Sequence, residues 1–341
     1  MSNQSKVSPT TLKTMKRRGR KITMLTAYDF PMASFIDQAG VDVVLVSDAV
    51  GTVGIGRPEA VSVTVEEMIY HTRAVRNGVT RSMVVTTLPF GSYSGVDEAV
   101  HSATRLMKEG GADGVHLEGT HHEAGLVQAI VSAGIPVMGH VGVTKQKIVR
   151  AGQIRLPARD AASARETIVD AVKMADAGAF ALVLECLPVR IGEIISQSLD
   201  IPTIGIGSGP YCDGQALVTQ DMLGLYKELA PRFLKVYADI SQSIIGALTE
   251  FRQEVEGGVF PATEHCYYID EPEPFHRELV AGRRLAFIGG SDSHRRNPGT
   301  CGALTGLYAR ELTREGIFEA IRARRTYATS GAPIALDFRI N

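Results

Sequence analysis

Carboxylates and imidazoles able to do acid–base or metal chemistry recur in this chain at one kind of place, the end of a short apolar run. Asp48 follows the run at residues 41–46, with Ser47 between, and Thr87 closes the run at 83–87. His116 lies in the run at 114–117, Glu118 just after it, and His140 follows the run at 135–138. Glu185, then Cys186, follows 180–184, and the run at 202–206 passes into Gly205-Ile206-Gly207-Ser208-Gly209. Tyr28 and Asp29 stand in the same place after 22–26. Such a set can supply a general base, hard oxygen ligands for a cation, and groups that exchange a proton near neutral pH. Residues two apart on a strand share a face, so His116 and Glu118 point to one side. Taken singly, each has a plainer reading. Asp48 could cap a helix, the histidines could be satisfied core residues, and the glycine stretch could be a tight turn as readily as an anion-binding loop. Repetition at one structural place favours a shared site.

The elements that must position these groups follow from the runs themselves. Short β-branched runs suit strands buried on both faces, as in a parallel sheet. Helical patterns are expected between them at residues 65–77, 97–109, 123–132, 162–177 and 232–254. The first is opened by a Thr64/Glu67 capping box and stopped by Gly78. Alternation of strand and helix means an α/β fold. An open sheet concentrates function at one switch point, whereas a barrel brings every strand end to one mouth. Chemistry-bearing groups after seven of seven runs therefore predict a (β/α)8 TIM barrel, with residues 222–226 as the eighth strand. The barrel is expected over residues 1–268, a Pro- and acid-rich linker over 269–274, and a short α/β appendage over 275–341. The appendage is expected to hold helices at 275–280 and 313–325 and a strand at 285–288.

Composition narrows the function classes. A chain of 341 residues, 44% hydrophobic, can bury a large core. A net charge of −1 argues against a nucleic-acid partner. No run of apolar residues is long enough to span a membrane, and the polar, basic start lacks the features of a signal peptide. Cys186, Cys212, Cys266 and Cys301 form no CxxC pair and are expected to be reduced thiols in a cytoplasmic protein. His71, His101 and His276 read as surface or packing residues.

Across residues 10–265 the chain resembles the ketopantoate hydroxymethyltransferase family, a relative of the phosphoenolpyruvate mutase and isocitrate lyase group. Thr26-Ala27-Tyr28-Asp29, Leu88-Pro89-Phe90, Leu117-Glu118-Gly119, Gly139-His140-Val141-Gly142 and Asp213-Gly214-Gln215 carry it, with Asp221-Met222-Leu223-Gly224-Leu225 and the stretch closing at His265. The resemblance implies hydroxymethyl transfer from 5,10-methylenetetrahydrofolate to 3-methyl-2-oxobutanoate through a metal-stabilised enolate. The product, 2-dehydropantoate, leads to pantothenate. It further implies Mg²⁺ on three mouth carboxylates and a homo-oligomer. Position by position, Asp48 matches the first metal carboxylate, Glu118 the third, Glu185 the proton acceptor and His140 an active-site histidine. Three positions depart: Ala49 replaces a serine, Thr87 the second metal aspartate and His116 the substrate-binding lysine. The glycine-rich loop at 150–157 is also altered. The resemblance thus places Asp48, Ala49, Thr87 and His116 against the substrate, with Thr87 a weak metal ligand. A nitrogen ligand at His116 would move the site from Mg²⁺ toward Mn²⁺, Fe²⁺, Co²⁺ or Zn²⁺.

Other readings stay open: a lyase or aldolase on a different 2-oxo acid, or a catalytically silent paralogue with an assembly role. The stretch Gly289 to His294, with Pro298-Gly299-Thr300, resembles the end of a PHP-type metallohydrolase domain, where Asp292 and His294 match its last metal ligands. The earlier His-x-His ligands of such a domain are absent, so this segment reads as a fragment, and a phosphoesterase role for it is the weakest alternative.

Overall fold

Eight parallel strands pair in sequence order and close on themselves, β1 against β8. They are β1 Ile22–Thr26, β2 Val43–Val46, β3 Met83–Thr87, β4 Gly114–Glu118, β5 Val137–Gly142, β6 Ala181–Glu185, β7 Thr203–Ile206 and β8 Gly214–Leu217. The structure is a computed structural model and describes residues 5–144, 148–149, 152, 156–228, 230–267, 285–288, 303–308, 313–322 and 326–330. The chain divides into two units, residues 1–250 and 251–341.

The period-2 alternation of each strand splits the core in two. Met24, Val43, Leu45, Met83, Val85, Met138, Val183 and Ile204 point inward and form one cluster. Their neighbours Val44, Val84, Val115, Leu117, Val137, Leu182 and Leu184 point outward and pack with Met68, Leu106 and Met174 of the surrounding helices. Continuous burial on both faces is why these strands read as unbroken apolar runs. The helix Pro9–Arg17, capped by Ser8, adds Leu12 and Met15 to the inner cluster. Burying such a side chain contributes about 1.5–3 kcal/mol.

Carboxylates at the N-terminal ends of the strands are structural. Asp42 accepts from the amide of Thr23 at 3.1 Å and from Arg81 at 2.7 Å. Asp113 does the same for Val84 and Arg76, both at 3.0 Å. Asp213 takes Thr203 and Lys16, both at 2.8 Å. Each satisfies a strand amide that has no ladder partner at its start. Burial raises the Asp37 carboxyl, but the amides of Ser82 and Thr80 overcome this and hold it well below the usual carboxylate range.

Two expectations need correction. The eighth strand is Gly214–Leu217, not residues 222–226; Asp221 and Met222 instead end a short helix, Thr219–Met222. The strand was hidden because it is only four residues long with a polar Gln215, and because Gly214 is needed where a side chain would strike the Ile22 carbonyl. The helix expected from 232 starts at Ile240. Residues 232–239 are held otherwise: Tyr237 N–H donates to the Met222 carbonyl at 2.8 Å and Ile240 N–H to Leu223 at 2.9 Å. The helices Phe30–Gln38 and Val189–Ser198 were not anticipated. The Thr64/Glu67 capping box is present in both directions.

In the second unit, β9 Leu285–Ile288, β10 Ala303–Tyr308 and β11 Thr326–Ser330 form an antiparallel sheet in the order β11-β10-β9. The helix expected over 313–325 is Arg314–Arg322, with the Thr313 hydroxyl accepting from Gly316 N–H at 3.1 Å. The helix expected at 275–280, the linker at 269–274, Asp292, His294 and Cys301 lie outside the described residues. Among the described residues no helix is long and apolar enough to cross a membrane.

Candidate active site

The inward-facing rows of β1 to β6 change character toward their C-terminal ends. Apolar layers give way to Thr26, Thr87, His116, Glu118, His140 and Glu185. The alternation that packs Met83 and Val85 inward also turns Thr87 inward, and that of Met138 does the same for His140. The barrel register then sets neighbours side by side: Thr87 pairs with His116, and Glu118 with His140. Asp48 lies just beyond β2 and is 1% exposed.

These side chains touch in a row. Thr87 Oγ1 lies 3.0 Å from His116 Nδ1, and His116 Nε2 lies 3.2 Å from His140 Nδ1. His140 Nε2 lies 3.3 Å from Glu185 Oε2, though not aligned as a hydrogen bond, and among the described residues is buried without another partner. Glu118 Oε1 is 3.9 Å from His140 Nδ1, beyond hydrogen-bond reach. One assignment of protons satisfies the row with both imidazoles neutral. His140 directs Nε2–H toward the Glu185 carboxylate, so its Nδ1 accepts from His116 Nε2–H. His116 Nδ1 then accepts from the Thr87 hydroxyl. Both nitrogens of His116 are thereby occupied, and a metal could take one only by exchange.

The row borders a cavity of about 240 Å³. Asp48, Ala49, His116, Glu118, His140 and Glu185 all line it. Thr87, fully buried, stands behind His116 and is not among the lining residues. Among the described residues no Lys or Arg lines the cavity. Nor does any group of three or more His, Cys, Asp or Glu converge there as a metal cage. Four described carboxylates line it: Asp48 and Glu118, both buried, and the more accessible Glu185 and Asp221. Asp48 and Glu118 would suit a hard divalent cation that takes oxygen ligands.

Glu185 ends β6 and is 29% exposed, so it is partly desolvated yet reachable from the cavity. Gly142 pairs with it, and a Cβ at Gly142 would strike the Glu185 backbone. Cys186 next to it has φ +57°, a conformation that turns the chain sharply away after Glu185. Burial, then the Glu185 charge, pushes the Cys186 thiol up to about 11, so it is no thiolate nucleophile near neutral pH.

The glycine stretch after β7 is a turn. Ser208 donates to the Leu184 carbonyl at 2.7 Å and accepts from Leu187 N–H at 3.0 Å, and only Ile206 of the stretch lines the cavity. Sequence reasoning gave no role to Asp221, Pro231, Phe233 or Leu234, which also line it. Asp221 stands a short way past a strand, the same signal that marked Asp48, but its strand had gone unrecognised.

A family described as ketopantoate hydroxymethyltransferase matches residues 6–263, and residues 278–339 match one described as a protein of unknown function (DUF3604). The chain is 47% identical over 268 residues to 3-methyl-2-oxobutanoate hydroxymethyltransferase of Moorella thermoacetica, covering 78% of this chain and 100% of that one. It is 47% identical over 262 residues to the Enterococcus faecalis protein of the same name, covering 76% and 95%. Among solved structures it resembles phosphonopyruvate hydrolase, with TM-score 0.51, 13% identity, and 82% and 99% of the two chains covered. It also resembles 2,3-dimethylmalate lyase, with TM-score 0.50, 14% identity, and 81% and 92% covered. At that identity the likeness concerns the fold alone. Matched over most of its length by family and relatives alike, the chain belongs to the ketopantoate hydroxymethyltransferase family.

Proposed function

We propose that this protein transfers a hydroxymethyl group from 5,10-methylenetetrahydrofolate to 3-methyl-2-oxobutanoate, giving 2-dehydropantoate. The observation that carries the reading is Glu185, a partly desolvated carboxylate at the cavity edge with His140 Nε2 at 3.3 Å. Glu185 removes the C3 proton of the 2-oxo acid, and the electron pair left at C3 forms the new bond to the methylene carbon; both C–N bonds from that carbon to the folate break, water supplies the hydroxyl, and tetrahydrofolate leaves with the C3 proton and one water proton on its two nitrogens. His140, held in one tautomer by His116, directs its Nε2 proton toward Glu185 while that carboxylate is charged. It relaxes the contact once Glu185 is protonated. His116 and Thr87 fix this orientation from behind, and Asp48 with Glu118 would hold the divalent ion. That ion, when bound, polarises the ketone and lowers the energy of the enolate.

Asp48 and Glu118 favour Mg²⁺ with water in place of the missing aspartate, because His116 already spends both nitrogens on Thr87 and His140. Titrating metal-stripped protein with Mg²⁺ and Mn²⁺ distinguishes this from a nitrogen-ligated site. The latter would show Mn²⁺ binding that His116→Lys abolishes.

A second reading has one observation in its favour. Ala49 and His116 line the cavity and would reshape how a substrate carboxylate is held, which suits a lyase or aldolase acting on a different 2-oxo acid. Incubating the protein with Mg²⁺, 3-methyl-2-oxobutanoate and 5,10-methylenetetrahydrofolate tests the choice. Formation of 2-dehydropantoate supports transfer, and turnover of other 2-oxo acids without it supports the second reading.

Assembly into a homo-oligomer is supported by the helix Ile240–Glu256, none of whose residues is buried and which exposes Ile244, Ile245 and Leu248. Sedimentation velocity would show a single species heavier than the 36.6 kDa chain. The barrel, through about residue 268, is proposed to be the transferase module and residues 275–341 a separate appendage.

A further inference from the structure

The cavity that borders the row from Thr87 to Glu185 is also lined by a carboxylate with no work assigned to it. Asp221 sits on the short helix Thr219–Met222, which is pinned to the end of β1 by Thr219. The Thr219 amide donates to Thr26 Oγ1 at 3.0 Å and its hydroxyl to the Thr26 carbonyl at 2.6 Å. The returning chain donates from Tyr237 and Ile240 to the carbonyls of Met222 and Leu223, so this helix is held on both sides. Asp221 lines the cavity together with Pro231, Phe233 and Leu234. Its Oδ1 is buried and, among the described residues, has no hydrogen-bond partner. Burial pushes the Asp221 carboxyl up to about 6. A carboxylate accepts only, and leaving one buried without donors costs free energy unless a ligand brings them.

We infer that Asp221 recognises the pterin head of the folate co-substrate, accepting from the ring N3–H and the 2-amino group. Those two donors are parallel, point the same way and match the two oxygens of one carboxylate, as a guanidinium does. Phe233, Leu234 and Pro231 offer apolar surface for a planar bicycle, while Asp221 supplies the precisely placed polar group such a pocket needs. The same negative charge repels a 2-oxo acid from this end. That acid is left to the region of Asp48 and Glu118, with the one-carbon unit between the two.

This inference rests on the transfer reading, and its test separates the two. Tetrahydrofolate binding to the full-length protein is measured by calorimetry beside a 2-desamino-2-methyl analogue, which cannot donate from that position. The parent protein should bind the analogue on the order of 10- to 100-fold more weakly, the value of losing a hydrogen bond to a charged group. In Asp221→Asn, tetrahydrofolate itself should weaken by a similar factor and the preference over the analogue should collapse. A structural role would weaken both ligands alike and leave the preference intact. Equal binding of the two ligands by the parent overturns the inference without needing any variant. So does absence of tetrahydrofolate binding, or a preference that survives in Asp221→Asn. Deuterium exchange at C3 of 3-methyl-2-oxobutanoate by the parent, run without folate, reports on the transfer reading separately.

Discussion

Thr87→Val removes one hydroxyl from the row that reaches Glu185 and keeps the side chain's shape. Thr87 is fully buried, so no water replaces the lost donor to His116 Nδ1 at 3.0 Å. Two outcomes are open to the row. His116 keeps its tautomer and leaves a buried acceptor unsatisfied, at about 1–3 kcal/mol. Alternatively its proton moves to Nδ1, Nε2 becomes an acceptor, and it faces an acceptor on His140 at 3.2 Å. His140 must then move its own proton to Nδ1 and present a lone pair to the Glu185 carboxylate at 3.3 Å. Either way the melting temperature should fall by roughly 2–12 °C, at about 2–4 °C per kcal/mol for a domain of this size. Turnover should fall about tenfold, since one badly oriented contact is worth about 1.4 kcal/mol of barrier. Thr87→Ser should restore both. Nitrogen-15 spectra of histidine-labelled protein give the tautomers directly: Nε2–H on His116 and His140 in the parent, disturbed in Thr87→Val. Unchanged tautomers, melting temperature and turnover in Thr87→Val would refute the reasoning.

Other predictions follow from the same contacts. Gly142→Ala should lower turnover at least tenfold with a smaller loss of stability, because the added methyl strikes the backbone of Glu185; turnover near that of the parent would show that β6 yields at no cost. Asp37 holds the amides of Thr80 and Ser82, and its folded-state pKa lies below the unfolded value of about 4, so its stabilisation is present above that pH and fades as pH falls below it. Asp37→Ala should therefore cost about 1–3 kcal/mol in urea unfolding at pH 7, and a gap undiminished at pH 3 would contradict this. Truncation after residue 270 should leave transferase activity within about twofold, as the family match ends at residue 263; a folded, assembled but inactive truncation would show that the appendage takes part.

Much of this architecture is legible in the residues because a buried parallel strand writes its burial directly into β-branched runs. Asp48, His116, Glu118, His140 and Glu185 could be grouped from sequence since each stands at the end of such a run, and all five line one cavity. What escaped did so for physical reasons. β8 carries Gly214 and Gln215, where close packing on Ile22 matters more than hydrophobicity. Without that strand, Asp221 had no place in the mouth. The helix Pro9–Arg17 was masked by its charge, although Ser8 as cap, Pro9 behind it and the Leu12/Met15 spacing would have revealed it. The row from Thr87 to Glu185 depends on register between neighbouring strands, and no single segment contains that information. Thr87 shows the consequence. The resemblance assigns this position to a metal ligand, whereas in the structure its hydroxyl lies 3.0 Å from His116 Nδ1.

The central claim is that Glu185 abstracts the C3 proton of a 2-oxo acid in this cavity. Proton NMR of 3-methyl-2-oxobutanoate in D₂O, with Mg²⁺ and no folate, follows loss of the C3 signal directly. The parent protein should exchange this proton catalytically, and Glu185→Gln should slow exchange by about 10²- to 10⁴-fold while its melting temperature stays close to the parent's. Exchange by Glu185→Gln at the parental rate would contradict the account.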